Sequence, residues 1–455
     1  MDKNIRVLVD FGSTFTKVVA IDLAAEEIVA RSRVPSTVET DITIGLQMAY
    51  RQIGTQLKST SLDPSSALAC SSAAGGLRMV CVGFVPEYTS EAANLAALGA
   101  GAKVIGLYSY ELDEDEVRSI ETTAPDILLL TGGTDGGNTR VILHNARLLA
   151  QTTPAVTNII VAGNKAAYTD IRNIFNSHKR VIYTRNVMPE IGKLDLAPCN
   201  ACIRDLFMQR IVVAKGIARA RGLVRDVIMP TPSAVLEAAK LISHGAGDVP
   251  GLGELMVVDT GGATTNVHSI ARGSPQRADI ITSGLPEPYE KRTVEGDLGL
   301  KYNLDTLCQL MAAQGRPVSA VILNHFAAGN LPQTAEEFEC HRALVRLAIE
   351  TAVDRHAGRI QEIYGPTGRM FVQHGKDLTG TGYVIGTGGA LVHAQQPENL
   401  LEAALFNERA PDRLKPKTPQ LLLDTEYCLY AIGLLGQGEP EKACRLARRY
   451  LIKIG

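Results

Sequence analysis

The chain lacks several features that mark common classes of protein. It has no tryptophan, and only 5% of its residues are aromatic, so there are few flat side chains on which nucleic-acid bases could stack. A formal net charge of −2 leaves no positive excess to attract a phosphate backbone. We therefore expect no nucleic acid among its partners.

Long apolar runs are missing as well. No stretch approaches the roughly 20 apolar residues that span a bilayer, and the first residues lack the apolar core of a secretory signal. The eight cysteines are scattered along the chain, which is typical of reduced thiols rather than of a disulfide framework. The sequence predicts a cytoplasmic protein with no membrane partner.

Two widespread nucleotide-binding motifs are also absent. The chain has no Walker A lysine and no Gly-x-Gly-x-x-Gly fingerprint, and its nine histidines show no metal-ligand spacing. Cys199 and Cys202 form a lone Cys-x-x-Cys, which by itself is weak evidence for a redox or metal site. Because the flanking residues read as the start of a helix, we interpret both as structural cysteines.

What the chain does contain is three glycine-bearing loops, each after an apolar run. The first two runs end in Asp10 and Asp259, and the third ends in Ile385. Glycine lets backbone N–H groups approach an anion closely, and an aspartate at a strand end can hold a divalent cation against phosphate oxygens. The candidate ligand-binding residues of the three loops are Gly12, Ser13, Thr14, Thr16, Lys17, Thr260, Gly261, Gly262, Ala263, Thr264, Thr265, Gly386, Thr387, Gly388 and Gly389.

The order of these loops resembles the actin, hexokinase and Hsp70 ATPase superfamily. There the first two loops are the phosphate hairpins and the third is the adenosine loop, and Ala431-Ile432-Gly433 stands where a helical Ala-x-Gly usually follows. The resemblance implies a two-lobed, actin-like (ribonuclease H-like) α/β ATPase fold, with an α/β domain inserted in the first lobe. It also implies ATP and Mg²⁺ as cofactors.

The same resemblance implies a role for each loop. Asp10 and Asp259 become the catalytic and metal-holding carboxylates, and one of them orients the attacking water. Lys17 becomes a point charge for a phosphate, the first two loops contact the phosphates, and the third contacts adenine and ribose. The alternative is that each aspartate only caps a turn; two such aspartates in this order favour the nucleotide site.

Length and pattern predict more than one domain. At 455 residues the chain is too long for a single core, and strand and helix patterns alternate in its first half, which predicts a small parallel sheet. A later stretch, residues 197–246, reads as helix-rich and is broken by Pro230-Thr231-Pro232. The predicted domains are a first ATPase lobe made of 1–84, 191–250 and 425–455, an inserted α/β domain at 85–190, and a second lobe at 251–424.

Two further loops allow two interpretations each. Residues 131–137 could bind an anion at a helix N-terminus, or form a compact strand-to-helix turn or a partner-contact loop, which we favour. Residues 295–299, which include Glu295, could contact nucleotide or could be a polar loop that opens a helix. The sequence favours neither of these last two.

Longer strings resemble the MutL (GlmL) family of glutamate mutase accessory proteins, which is unrelated to mismatch-repair MutL. They lie at residues 69–79, 130–138 and 229–235, and the resemblance covers essentially the whole chain. It implies a slow ATPase that reactivates an adenosylcobalamin-dependent mutase, with the mutase subunits of the glutamate mutase type as partners. The inserted domain would provide the surface that binds the mutase. Whether the chain forms a homodimer is left open.

A second family has a similar first loop and stays as the alternative. ATP-dependent electron-transfer activators of 2-hydroxyacyl-CoA dehydratases carry Asp-x-Gly-Ser-x-x-Thr-Lys and an iron–sulfur cluster shared between two subunits. Cys199 and Cys202 would suit such a cluster. The length of this chain and its additional α/β block argue against that family.

Overall fold

The computed structural model describes residues 4–37, 40–58, 67–72, 77–152, 158–175, 179–214, 223–328, 330–365 and 368–455. The chain forms two compact units. The first unit comprises residues 1–75, 211–283 and 287–455, and the second unit comprises residues 76–210 with 284–286. The predicted domain limits divide the chain more finely, placing residues 76–84 and 191–210 in the first lobe, and they stay a prediction.

The strands are, in chain order, β1 (Ile5–Phe11), β2 (Phe15–Asp22), β3 (Glu27–Pro35), β4 (Leu68–Ser71), β5 (Leu77–Val82), β6 (Ala102–Tyr108), β7 (Ile127–Leu130), β8 (Asn158–Val161), β9 (Arg180–Tyr183), β10 (Asp226–Pro230), β11 (Gly245–Ala246), β12 (Val249–Pro250), β13 (Leu255–Thr260), β14 (Thr265–Ile270), β15 (Ile280–Ser283), β16 (Glu290–Glu295), β17 (Arg359–Gly365), β18 (Gly368–His374), β19 (Tyr383–Thr387), β20 (Gln420–Asp424) and β21 (Leu451–Lys453).

The helices are, in chain order, α1 (Ile42–Gln56), α2 (Glu91–Ala100), α3 (Glu114–Thr123), α4 (Arg140–Ala150), α5 (Tyr168–Ile174), α6 (Ala197–Ala214), α7 (Thr231–His244), α8 (Leu304–Ala313), α9 (Ala320–Ala327), α10 (Ala335–His356), α11 (Gly389–Val392), α12 (Pro397–Leu401), α13 (Leu429–Leu435) and α14 (Pro440–Tyr450). Within the part of the chain that is described, none of the helices has the length and hydropathy of a membrane span.

Two sheets of the first unit share one plan. The first has the order β10-β4-β1-β2-β3, and the second has β16-β14-β13-β19-β20-β21. In each, the first three strands in sequence are antiparallel neighbours and the next two run parallel to the first strand. This order is that of a ribonuclease H-like sheet, so the predicted two-lobed actin-like α/β fold is confirmed.

The core of the first unit joins the two sheets through two helices. Apolar side chains alternate along β1 and β13, so that Leu8 and Val257 pack into one cluster with α7 and α13. All seven residues of α13 are buried. At the crossing of the helices a Cβ on Gly433 would lie 1.8 Å from the carbonyl oxygen of Ala234, so glycine is required for the two backbones to touch.

The second unit contains a sheet in the order β6-β5-β7-β8-β9, with all neighbours parallel. Numbered by sequence this is the 2-1-3-4-5 order of a doubly wound sheet, with α2 to α5 between its strands. The alternation of strand and helix predicted in this part of the sequence, and the small parallel sheet that it implies, are therefore confirmed.

The helix-rich stretch predicted over residues 197–246 is confirmed, since its described part contains α6 and α7. The sequence pattern missed strand β10, which lies between these two helices and pairs parallel with β4. The apolar run at 227–229 is too short for periodicity to separate strand from helix. Residues 215–222 of this stretch, and 73–76 of the first family-like string, lie outside the described residues.

Candidate functional site

The hairpin between β1 and β2 places an acidic and a basic side chain together. The register of the hairpin pairs Asp10 with Lys17, and the Lys17 ammonium lies 2.6 Å from Asp10 Oδ2. The hydroxyl of Thr231, the first residue of α7, donates to Asp10 Oδ1 over 2.6 Å. Asp10 is only 1% exposed, so its carboxylate is held from both sides at the strand end.

Two tyrosines flank the Lys17 ammonium. Its nitrogen lies 3.7 Å from the ring centroid of Tyr427 and 5.1 Å from that of Tyr430. Burial by itself would lower the pKa of Lys17, but the Asp10 carboxylate, with help from Tyr427 and Asp259, raises that pKa above its usual value. Lys17 is therefore a permanent positive charge at the site.

The second hairpin repeats the geometry with a different partner. The register of β13 and β14 pairs Asp259 with Asn266, so an amide occupies the position that Lys17 holds in the first hairpin. Although Asp259 keeps some surface exposure, burial raises its pKa to about 6, while Lys17 and a hydrogen bond from Asn266 oppose the rise. Lys17 thus acts on both aspartates.

The three predicted loops lie against one another. A Cβ on Gly262 would be 3.0 Å from the Thr14 hydroxyl, which brings the first and second loops together. A Cβ on Gly388, whose φ is 92°, would be 2.3 Å from the carbonyl oxygen of Thr260. The third loop therefore packs on the end of β13, and the structure brings all three loops to one place.

Asp424 fixes the chain next to the third loop. It is 0% exposed at the end of β20, accepts hydrogen bonds from the backbone N–H groups of Cys428 and Leu429, and accepts another from the Thr387 hydroxyl. Burial raises the pKa of Asp424, and these donors oppose the rise. Thr387, predicted to contact nucleotide, thus uses its hydroxyl to tie β19 to β20.

Residues 299–303 pack against the second loop and support it. The backbone N–H groups of Leu300 and Lys301 donate to Gly261 and Gly262, and the Asn303 amide donates to the carbonyl oxygen of Ala263. A Cβ on Gly299 would lie 2.3 Å from the Ala263 backbone. These contacts hold the loop in one conformation.

Comparison of whole sequences shows the family of this chain. The sequence model of the MutL protein family matches residues 6–451. Protein MutL of Clostridium tetanomorphum is 42% identical over 460 residues, which is 98% of this chain and 99% of that protein. The chain belongs to the MutL family.

Solved structures are more distant from this MutL-family chain. The gluconate kinase of Lactobacillus acidophilus is 10% identical, with a TM-score of 0.35 over 99% of this chain and 93% of its own. The ethanolamine utilization protein EutJ of Carboxydothermus hydrogenoformans is 11% identical, with a TM-score of 0.29 over 95% and 90%. The fold assignment rests instead on the strand order of the two sheets.

The predicted hydroxyl groups of this MutL-family site fall into two classes. Within the described chain, the buried hydroxyls of Thr14, Thr16 and Thr260 have no hydrogen-bond partner. Of these, Thr14 and Thr260 belong to the residues at which the loops pack together, as expected of groups that contact a polar ligand. The structure does not bring the hydroxyls of two others to that place. Thr265 donates to the carbonyl oxygen of Leu298, and Thr16 lies on the opposite face of β2 from Lys17.

The weaker candidates lie elsewhere in the fold. Glu295 forms an ion pair of 2.7 Å with Arg355 on α10, and Asp297 forms one of 2.8 Å with the same guanidinium, so both brace the segment below the second loop. Cys199 is 0% exposed in the second unit, where burial raises the pKa of its thiol.

The 131–137 loop is also in the second unit and makes a compact turn. The Asn186 amide donates to Gly133 and to the Asp135 carboxylate, and the Gly136 N–H donates to the Asn164 side chain. Gly133, with φ at 71°, would place a Cβ 2.1 Å from the carbonyl oxygen of Asn138. The strand-to-helix turn favoured from the sequence matches this geometry.

Sequence reasoning missed several residues of this MutL-family site. Thr231 and Tyr427 touch Asp10 and Lys17 from distant parts of the chain, and no local motif marks them. Asn266 follows Asp259 by the spacing that separates Lys17 from Asp10. That repeated spacing is a signal that could have identified Asn266.

Proposed function

We propose that the chain binds Mg-ATP between its two aspartate hairpins and hydrolyses it slowly. In this proposal the hydrolysis drives an accessory, reactivating step on an adenosylcobalamin-dependent mutase of the glutamate mutase type. The observation that carries the proposal is the convergence of Asp10, Lys17 and Asp259 on the place where all three loops meet. Membership of the MutL family supports the choice of partner.

The residues present suit a magnesium nucleotide. Asp10 and Asp259 would hold Mg²⁺, and because two carboxylates fill only part of an octahedral shell, phosphate oxygens and waters would complete it. Bound there, Mg²⁺ would supply charge neutralisation at the phosphates. The unpartnered hydroxyls of Thr14 and Thr260 are donors that a phosphate oxygen would satisfy.

The chain's own groups would orient the reactants. The backbone N–H groups of the two hairpin turns would meet phosphate oxygens, and the Lys17 ammonium would add a positive charge beside them. Asp259, the carboxylate with the raised pKa, is the better candidate to orient the attacking water, since Asp10 already accepts from Thr231 and Lys17.

The contact between the two sheets is the place where the proposed cycle would change the conformation of the protein. The sheets share one core at the crossing of α7 and α13, where backbones touch without an intervening side chain. Helices packed in this way can rotate past one another by small shear motions. ATP would favour the arrangement in which both hairpins contact its phosphates, and hydrolysis would release that preference.

The electron-transfer activator remains the alternative, and iron analysis separates it from the main proposal. Protein purified without oxygen should be colourless and free of iron and sulfide. A brown protein with stoichiometric iron and sulfide, lost in a Cys202→Ser variant, would favour the activator instead. Cys199 is a poor choice for that substitution because its thiol is part of the core of the second unit.

The decisive experiment measures ATP hydrolysis and cobalamin release together. Purified protein is mixed with a glutamate mutase that has been inactivated with cyanocobalamin, with and without Mg-ATP. We expect slow hydrolysis, release of the damaged cobalamin and recovery of mutase activity on addition of adenosylcobalamin. Hydrolysis of ATP without release of cobalamin would support the proposed ATP site and contradict the proposed mutase partner. Absence of hydrolysis would contradict both proposals.

A further inference from the structure

A bulky residue in a strained backbone conformation stands over the Lys17 ammonium of the site described above. Tyr427 has φ at 52°, a left-handed conformation that is unfavourable for a residue with a Cβ. Such strain persists only where the surroundings impose it, and it concentrates at functional sites. Tyr427 therefore needs an explanation beyond the turn it occupies.

The strain is imposed by the turn after β20. The N–H of Tyr427 donates to the carbonyl oxygen of Asp424 over 3.0 Å, and the Asp424 carboxylate accepts from the next two backbone N–H groups, those of Cys428 and Leu429. The segment between β20 and α13 is thus fixed at both ends, and the left-handed residue points its side chain out of the turn toward β2.

What the ring meets there is the Lys17 ammonium, 3.7 Å from the ring centroid. An aromatic face attracts a cation at this distance, and Tyr430 adds a second ring at 5.1 Å. Lys17 belongs to the first sheet, whereas Tyr427 follows the last parallel strand of the second sheet. The contact therefore positions a charge of one sheet from the other.

We propose that Tyr427 is a positioning residue of the nucleotide site: its ring holds the Lys17 ammonium beside Asp10, at the place where the three loops meet, so that the charge is ready for a phosphate of the nucleotide. The inference rests on the ATP site proposed above. It assigns the cation-holding role to the side chain of Tyr427, through its ring face and a hydrogen bond of its phenol oxygen with Lys17, and it makes the affinity for ATP depend on Tyr427 only through Lys17.

A double-mutant cycle on the full chain tests this. Affinity for Mg-ATP is measured by calorimetry for the wild type, Tyr427→Leu, Tyr427→Phe, Lys17→Met and the double variant Lys17→Met/Tyr427→Leu. We expect Tyr427→Leu to weaken binding by about tenfold, equivalent to ~1.4 kcal/mol, and Tyr427→Phe, which keeps the ring and loses the hydroxyl, to weaken it less. In the Lys17→Met background, Tyr427→Leu should cause no further loss.

Two further variants keep the test decisive. Tyr427→Asn removes the ring while tolerating the left-handed backbone, so it replaces Tyr427→Leu if that variant fails to fold. Tyr364→Leu, at an 81% exposed tyrosine of β17, is the matched control and should bind as the wild type does.

Three results would overturn the inference. Wild-type affinity in Tyr427→Leu or Tyr427→Asn would remove the role of the ring, and an equal loss in the Lys17→Met background would show that the ring acts without Lys17. A wild-type chain that binds no Mg-ATP would overturn both the inference and the proposed function. If the wild type binds Mg-ATP and the Tyr427 variants bind it with the same affinity, the inference fails and the proposed function stands.

Discussion

Asp10 and Asp259 occupy the same position in two hairpins, yet their surroundings differ. Asp10 has a neighbouring ammonium and a hydroxyl donor, whereas Asp259 is half-buried beside an amide and has a pKa raised to about 6. The first carboxylate is thus held in a fixed, charged contact. The raised pKa of Asp259 brings its protonation closer to neutral pH, which suits a carboxylate that orients an attacking water molecule.

Removal of either carboxylate should abolish most ATP turnover. We expect Asp10→Asn and Asp259→Asn each to lower kcat by about 10²–10³, since each group acts on charge that develops during phosphoryl transfer. A steady-state phosphate-release assay measures this. Asp305→Asn, at an exposed aspartate in the first turn of α8, is the control, and near-normal turnover in either site variant would reject its catalytic role.

The pH profile of hydrolysis should report the raised pKa of Asp259. Since the water-orienting role needs the ionised carboxylate, kcat/KM should fall as the pH drops through about 6, rather than near the ordinary value of about 4 for aspartate. The Asn266 hydrogen bond lowers the pKa of Asp259, so Asn266→Ala should move this acidic limb to higher pH. An unchanged limb in Asn266→Ala would exclude Asp259 as its source.

Among the elements, the third loop depends on a glycine that the sequence motif does not distinguish from its neighbour. Gly388 has φ at 92°, and a Cβ there would be 2.3 Å from the carbonyl oxygen of Thr260, whereas a Cβ on Gly389 would meet nothing within 4 Å. We expect Gly388→Ala to destabilise the protein by ~1–3 kcal/mol and Gly389→Ala to leave its thermal unfolding unchanged. Equal unfolding temperatures for the two variants would show that the loop is not packed on β13.

The helix crossing gives a second prediction at this scale. Gly433→Val would force a side chain into the contact of α13 with Ala234, where even a Cβ would come to 1.8 Å from a carbonyl oxygen. Overpacking of this kind costs ~1–3 kcal/mol or more, which denaturant unfolding measures. Gly438→Ala, in open space, is the control, and a Gly433→Val variant as stable as the wild type would mean that the helices do not touch there.

These elements also show how far the sequence could lead. The alternating strands and helices of the second unit follow from local pattern, and the structure confirms them. Strand β10 could not be assigned, because its short apolar run carries no usable period. Thr231 and Tyr427 reach the site through the packing of α7 and α13, which depends on contacts between residues far apart in sequence.

For the whole molecule, the two units should respond to different partners. The proposed ATP site lies in the first unit, while the predicted surface for the mutase, residues 85–190, lies within the second. We expect Mg-ATP to slow hydrogen exchange in the hairpins around Asp10 and Asp259, and a bound mutase to slow it within residues 85–190. Exchange measured by mass spectrometry on the full chain tests both.

The control is the same hydrogen-exchange measurement on the Asp10→Asn variant with Mg-ATP added. Loss of the protection in the hairpins of that variant would tie the effect to the site. Protection by the mutase confined to the first unit would contradict the assignment of its docking surface, while protection in neither unit would show that the mutase does not bind. The binding of the mutase and of ATP are thus tested separately.

The two hairpins share one spacing, because the cross-strand partner follows the strand-end aspartate by seven positions in both, from Asp10 to Lys17 and from Asp259 to Asn266. A polyphosphate bound between two equivalent hairpins would have two orientations of similar energy, which differ in the hairpin that each end of the ligand contacts. A lysine in one hairpin and an asparagine in the other would remove this degeneracy, because one hairpin carries an aspartate–lysine ion pair and the other pairs its aspartate with a neutral amide. This difference at one position would therefore give the ligand a direction.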